Sequence, residues 1–398
     1  MKFEKNKKIK KIYFDYASTT PVDPRIVKVM IPYFIEKFGN TMSIHNFGQQ
    51  AKEALEKSRE IVADLIKAKS SEIIFTSSAT ESNNLALKGV AFANKNKGKH
   101  IIISSIEHPC VIETAKWLEK SGFEITRVGV DKYGLVSLKE LEKVIKKETI
   151  LVSIIHASNE IGTIQPIKEI GKICKEKKVY FHTDAVQSFG KIPIDVNKMN
   201  IDLLSASSHK MYGPKGVACL FIREGVKIEP ILHGGGQESG FRSSTINVPG
   251  IIGFTEACKI AKKEMEKDSQ RLAVLRNKLI KEVLKKIKYS YLNGPLCDEA
   301  NYFQKRLPNN ISFRFDGVEG ESIVIHLDLL GIALSTGSAC SSVELEPNHV
   351  LLALGLKPEQ THGSLRISLG RWTTKKEINY LIKVLPEVIK KLRKIAGS

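Results

Sequence analysis

Val179-Tyr180-Phe181-His182-Thr183-Asp184-Ala185-Val186-Gln187 sets an apolar run directly against a cluster of polar, chemically capable side chains. Runs of that first kind read as strands. Working outward, similar short β-branched runs occur on both sides: Ile73-Ile74-Phe75, Ile101-Ile102-Ile103, Phe123 to Val128, Ile150 to Ile155, Leu203-Leu204 and Val217 to Ile222. Between them, Leu85 to Phe92, Val111 to Leu118 and Leu138 to Ile145 repeat apolar residues every three or four positions, the spacing of helices with one buried face. The alternation predicts an α/β fold: a large domain built on a mainly parallel sheet flanked by helices. Beyond about residue 255 the texture shifts to long Lys/Glu-rich helical patterns, Ala257 to Ile287, then strands near Asn310 to Phe315 and Leu365 to Leu369. A smaller α+β domain is expected there.

The chain has 398 residues, 42% hydrophobic and 26% charged, which suits folded domains of ordinary composition and excludes collagen-like or disordered chains. No apolar run is long enough to span a bilayer, so no membrane association is expected. The 62 Lys+Arg against 43 Asp+Glu give a net charge of +19. That excess is mostly Lys spread along amphipathic stretches, such as Lys139 to Lys147 and Lys390 to Lys394, and reads as a solvated basic surface rather than a nucleic-acid site. The first eleven residues carry six Lys but no Arg or Ser, which makes a basic arm and a poor transit peptide. The six cysteines are never closer than 39 positions, so no CxxC redox or zinc motif exists. Reduced, core-packed thiols in a cytoplasmic protein are the expectation for most of them.

In a parallel sheet, ligands bind beyond the carboxyl ends of the strands, and there the polar residues gather. Thr76 to Asn84 is a hydroxyl-rich turn opening a helix, with Ser78 and Glu81 at capping-box spacing. It suits both an ordinary cap and a phosphate site. Later strands end in Glu107-His108, His156 to Glu160, His182 to Gln187 and Ser205 to Lys210. Each alone is commonplace, a packed His or a helix-capping Asp. Together they meet the needs of pyridoxal phosphate: a lysine to bind it, an acid for its ring nitrogen and a phosphate cradle.

These residues carry a resemblance to the cysteine desulfurases of the NifS/IscS type, within the class-V aminotransferases and fold type I of the pyridoxal-phosphate enzymes. It extends from Tyr13-Phe14-Asp15-Tyr16-Ala17-Ser18-Thr19-Thr20-Pro21 to Ser368-Leu369-Gly370-Arg371. Its most specific motifs are Ser207-Ser208-His209-Lys210 with Gly213-Pro214-Lys215-Gly216, and Ser335-Thr336-Gly337-Ser338-Ala339-Cys340. The resemblance implies a large cofactor-binding domain over 20–262, and a small domain from 1–19 and 263–398 that carries the catalytic Cys loop.

By the same resemblance, Lys210 would bind pyridoxal 5'-phosphate covalently and then move the substrate's α-proton. Asp184 would keep the ring nitrogen protonated. His108 would stack on the ring as a further catalytic group, while Gln187 and Asn159 would contact its phenolic oxygen and help place the substrate. Ala79, Thr80, Ser207 and His209 would bind the phosphate, joined by Thr245 from the other subunit of a homodimer. Arg366 would grip the carboxylate of L-cysteine. Cys340, in the Gly/Ser loop Ser335 to Ser342, would take the sulfur as a persulfide, releasing alanine. No resident metal is implied, although Cys340 could serve transiently as an iron-sulfur ligand. The sulfur would pass to an acceptor protein such as an iron-sulfur scaffold or a tRNA-modifying enzyme. A selenocysteine lyase, or another lyase or transaminase of the same family, is the alternative reading. Ser239 and Ile246 depart from the family's usual Gln-Glu-Arg-Gly and Gly-Thr-Glu-Asn patterns, which concerns a loop and an interface, not Lys210, Asp184, Cys340 or Arg366.

Overall fold

A computed structural model describes residues 11–296, 305–336 and 347–397. Among them, seven strands form the main sheet: β1 (Ile73–Thr76), β2 (His100–Ser104), β3 (Glu124–Val128), β4 (Thr149–Ser153), β5 (Tyr180–Asp184), β6 (Leu203–Ser207) and β7 (Ala218–Ile222). Their spatial order is β1-β7-β6-β5-β4-β2-β3. All run parallel except β7, which is antiparallel to both neighbours.

Side chains of a strand alternate between faces, so a sheet covered on both sides needs apolar residues at every position. Ile73, Phe75, Ile102, Val152, Phe181, Leu204 and Phe221 pack on one face with the helix Asn46–Ile66. Ile74, Ile101, Ile103, Leu151, Leu203 and Leu220 pack on the other with the helices Ala79–Asn94 and Pro109–Lys120. The strands are therefore near-continuous apolar runs, and polarity begins where they end.

A second, antiparallel sheet sets β9 (Asn310–Phe315) between β8 (Ser290–Leu292) and β10 (Ser364–Ser368). Its apolar cluster joins Phe313, Leu365 and Ile367 with Leu381 and Leu385 of the helix Lys375–Ala396, and with Ile12 and Phe14 from the start of the chain. Ile12–Tyr13 pairs in parallel with Ile332–Ala333. One 39-residue helix, Val248–Lys286, serves both clusters. Phe254 and Cys258 lie in the first, Leu272, Leu279 and Val283 in the second. It begins earlier than its apolar periodicity predicts, because Asn247 caps it through the Gly250 amide and Pro249 sits in its first turn, where a missing N–H is harmless.

Arg371, just past β10, ties the clusters together through Asp23 at 2.9 Å and Asp268 at 3.2 Å. Hydrogen bonds from Arg25, then from Arg371, pull the buried Asp23 carboxyl down to about 2 against the opposing effect of burial. A carboxyl with a depressed folded pKa stabilises fully above its unfolded value near 4, and the contribution fades as pH falls toward 2. Asp23→Asn is therefore expected to lose on the order of 1–2 kcal/mol at pH 7. Urea unfolding at pH 7, 4 and 3 checks this: the gap to the wild type should narrow only below pH 4.

Candidate active site

The carboxyl ends of β1, β4, β5 and β6 open on one cavity of about 560 Å³, a size typical of cofactor sites. β7 reaches the same edge with its amino end because it runs antiparallel, which brings Lys215 and Gly216 into the wall. Gly216 has φ +78°, the left-handed region that an L side chain rarely adopts.

Ala79 and Thr80 begin the helix Ala79–Asn94 at the cavity wall. Ser78 caps that helix by accepting from the Glu81 amide at 3.2 Å. The reciprocal half of the expected capping box is displaced by one residue, since Glu81 accepts from the Ser77 amide at 2.8 Å. Arg242 holds the same carboxylate at 2.6 Å. The amides of a helix's first turn have no carbonyl partner within it, so they suit an anion. Ser207 and His209 line the cavity as well.

Asp184, the last residue of β5, accepts from the Val186 amide at 3.0 Å and from Asn83 Nδ2 at 2.7 Å. Lys210 follows β6 in a short 3-10 turn, and its Nζ donates to the carbonyls of Ala17 at 2.8 Å and Ser18 at 2.6 Å. Gln187 also donates to the Ala17 carbonyl, at 2.9 Å, and accepts at Oε1 from Lys191 Nζ at 3.3 Å. Burial, then the charge of Lys210, pulls the Lys191 ammonium down to about 7. His108 caps the helix Pro109–Lys120, with Nδ1 accepting from the Cys110 amide at 3.2 Å. Burial holds its imidazole below the ordinary value, against the attraction of Asp184.

Arg366 projects from β10 to the cavity while its neighbours Leu365 and Ile367 enter the apolar cluster, as the alternation predicts. It is already engaged, with Glu160 at 2.9 Å, Asp15 at 3.2 Å and Ser18 Oγ at 2.8 Å. Burial pushes the Glu160 carboxyl up, and Arg366 opposes that rise. Glu107, fully buried beneath the site, is pushed up to about 8 by desolvation.

The cavity thus gathers Ala79, Thr80, His108, Asn159, Asp184, Gln187, Ser207, His209, Lys210 and Arg366. Thr245 stands exposed and outside it. Cys340 lies outside the described residues. One expectation needs correction: Cys174, Cys219 and Cys258 are buried core thiols, but Cys110 lines the cavity. Its position in the first turn of a helix aims it at the strand ends, and the apolar spacing of Val111 to Leu118 hides that. Asn83 and the Ala17 and Ser18 carbonyls also escaped the reading, because a backbone acceptor leaves no trace in residue type.

A carboxylate for a protonated ring nitrogen, a lysine, a neutral imidazole and a helix N-terminus around one cavity fit pyridoxal phosphate in both charge and size. Fold and donor set together define a pyridoxal-phosphate-dependent enzyme. The model of the aminotransferase class-V family matches residues 12–381. The cysteine desulfurase IscS of Dictyoglomus turgidum is 54% identical over 97% of this chain and 96% of its own. IscS 1 of Archaeoglobus fulgidus is 52% identical over 96% and 98%. A solved NifS-like protein superposes with a TM-score of 0.89 at 40% identity, covering 96% of this chain and all of that one. The chain belongs to the class-V aminotransferase family.

Proposed function

We propose that the protein is a cysteine desulfurase, converting L-cysteine to L-alanine and a persulfide on Cys340. The observation that carries this reading is the meeting of Lys210, Asp184, His108 and Arg366 at one cavity, in a chain so similar to IscS proteins.

Bound pyridoxal phosphate withdraws electrons from the substrate's Cα and so weakens its bonds. The remaining tasks fall to the chain. Asp184 holds a proton on the ring nitrogen, since an ionised carboxylate favours the charged form. Lys210 binds the cofactor through Nζ and, once displaced, carries the Cα proton. Ala79, Thr80, Ser207 and His209 hold the phosphate, and Gln187 and Asn159 orient the ring and substrate. Arg366 binds the substrate carboxylate bidentately, sharing its fork with Glu160. The Cys340 thiolate then forms an S–S bond to the substrate sulfur as the Cβ–S bond breaks. That bond's electron pair goes to Cβ, which takes a proton and becomes the methyl group of alanine. Alanine formed in equal amount to persulfide, measured in a single turnover, tests the reaction. Selenide outpacing sulfide by orders of magnitude would favour a selenocysteine lyase instead.

Further parts of the proposal concern assembly. The sulfur passes from Cys340 to an acceptor protein, an iron-sulfur scaffold or a tRNA-modifying enzyme, in the cytoplasm. The enzyme works as a homodimer. Ile31, Phe34, Ile35, Phe38 and Phe47 are each at least half exposed, and Ile44 is 91% exposed. So dense an apolar patch is expected to be covered by another protein surface, here by a second copy. Thr245, exposed on its own subunit, reaches the partner's phosphate site. Thr245→Ala should therefore weaken cofactor binding roughly 10- to 100-fold, the worth of one hydrogen bond to a charged group, without splitting the dimer. Sedimentation and cofactor titration check this, and an active monomer overturns it.

A further inference from the structure

A hydrogen-bonded chain with a fixed direction runs under the cavity from Asp184 to His108. An ionised carboxylate only accepts, so Asn83 must turn Nδ2 toward Asp184 Oδ2, at 2.7 Å. The same nitrogen reaches Cys110 Sγ at 3.1 Å. Asn83 Oδ1 stays buried with no donor among the described residues, so the amide is held by its NH2 side. Cys110 Sγ lies 3.0 Å from His108 Nδ1. That nitrogen already accepts from the Cys110 amide at 3.2 Å and so carries no proton. The thiol must then donate to it as well, sharing its one lone pair with the amide, while accepting from Asn83.

We propose that Asn83 and Cys110 are positioning residues that hold His108 neutral, with its one proton on Nε2. Burial, then the Asp184 charge, pushes the Cys110 thiol up to about 12, so it stays protonated as this role requires. The charged or titratable groups facing His108 are Asp184 on β5, Lys210 after β6, His349 on the helix His349–Ala353 and Arg366 on β10. Only Asp184 favours a second positive charge there, and a cationic His108 would compete with the cofactor's ring nitrogen for that one carboxylate. The chain thus reserves Asp184 for the cofactor and leaves His108 a directional donor. This rests on the cavity being the desulfuration site.

Nitrogen-15 NMR of the holoenzyme labelled at its histidine rings reads the proton's position without turnover, so it stands apart from whether sulfide is made. The wild type should show His108 with Nε2–H only, from pH 6 to 9. Cys110→Ala keeps the residue-110 amide on Nδ1 and so keeps the Nε2–H tautomer, but without the thiol donor its protonation should begin at higher pH, with kcat down about fivefold, the typical worth of one hydrogen bond, and KM for cysteine nearly constant. Cys110→Ser keeps a donor at this position and should recover most of both readouts. Asn83→Ala frees the thiol from its orienting donor and should raise the protonation pH of His108 as Cys110→Ala does, which keeps the test open if one variant folds poorly. A His108 protonation pH unchanged in Cys110→Ala would overturn the proposal, as would a Cys110→Ser protein no better than Cys110→Ala.

Discussion

Lys210→Ala yields a folded protein with no covalent cofactor link and cysteine turnover lowered at least about 10³-fold, the scale of removing a binding lysine that also moves a proton. The fold should survive because Lys210 stands in the cavity wall and not in an apolar cluster. Its Nζ donates to the Ala17 and Ser18 carbonyls, which water can satisfy in its absence. The check is borohydride reduction followed by peptide mass spectrometry. Lys215 lines the same cavity and Lys191 lies close by, with its ammonium drawn down to about 7. A reduced cofactor on either, in the wild type, would overturn the assignment.

Cys340→Ala should bind the cofactor and change its absorbance with cysteine as the wild type does, yet release sulfide at least about 10³-fold more slowly and carry no persulfide. Among the described residues the other thiols are poor nucleophiles. Cys174, Cys219 and Cys258 are buried, and desolvation holds each in the unreactive protonated form. Cys110 reaches the cavity, but burial and Asp184 push it up to about 12, leaving a negligible thiolate fraction at pH 7. Brief exposure of the wild type to cysteine should add one sulfur to the peptide containing Cys340. A sulfur on Cys110 instead, or full turnover by Cys340→Ala, would show that another nucleophile does the work.

Much of the sheet and most of the cavity wall were legible from residue order, for a physical reason. Strands buried on both faces are mostly apolar, so the polar cluster in which a strand ends, His182 to Gln187 or Ser205 to Lys210 for example, marks the edge where ligands bind. Direction was not legible. Val217 to Ile222 looks like any buried strand, and only the short link from Lys210 to Ala218 obliges it to turn back antiparallel. Neither was the company that residues keep across the fold. The alternation of Leu365-Arg366-Ile367 turns Arg366 away from its apolar neighbours, but its engagement by Glu160 and Asp15 depends on segments some 206 and 351 positions away. Cys110 reads as core filling because one cysteine beside an apolar repeat carries no sign of the helix end on which it sits.

The position of the chain's first strand has a consequence for how the enzyme is made. Ile12 pairs with Ile332, the Ala17 amide donates to Ser368 Oγ, and the Ala17 carbonyl in turn receives Lys210. During synthesis the segment that will touch the reactive lysine is made before Lys210, and its partners Ile332 and Ser368 follow more than 300 residues after it. At roughly 5–20 residues per second that interval is tens of seconds. The main sheet can form while the nascent chain is growing, but the anchoring of Ile12 and Ala17 waits until Ile332 and Ser368 have been made. A chain interrupted between Ile222 and Ile332 would therefore have the strands of the main sheet without the later partners that anchor Ile12 and Ala17.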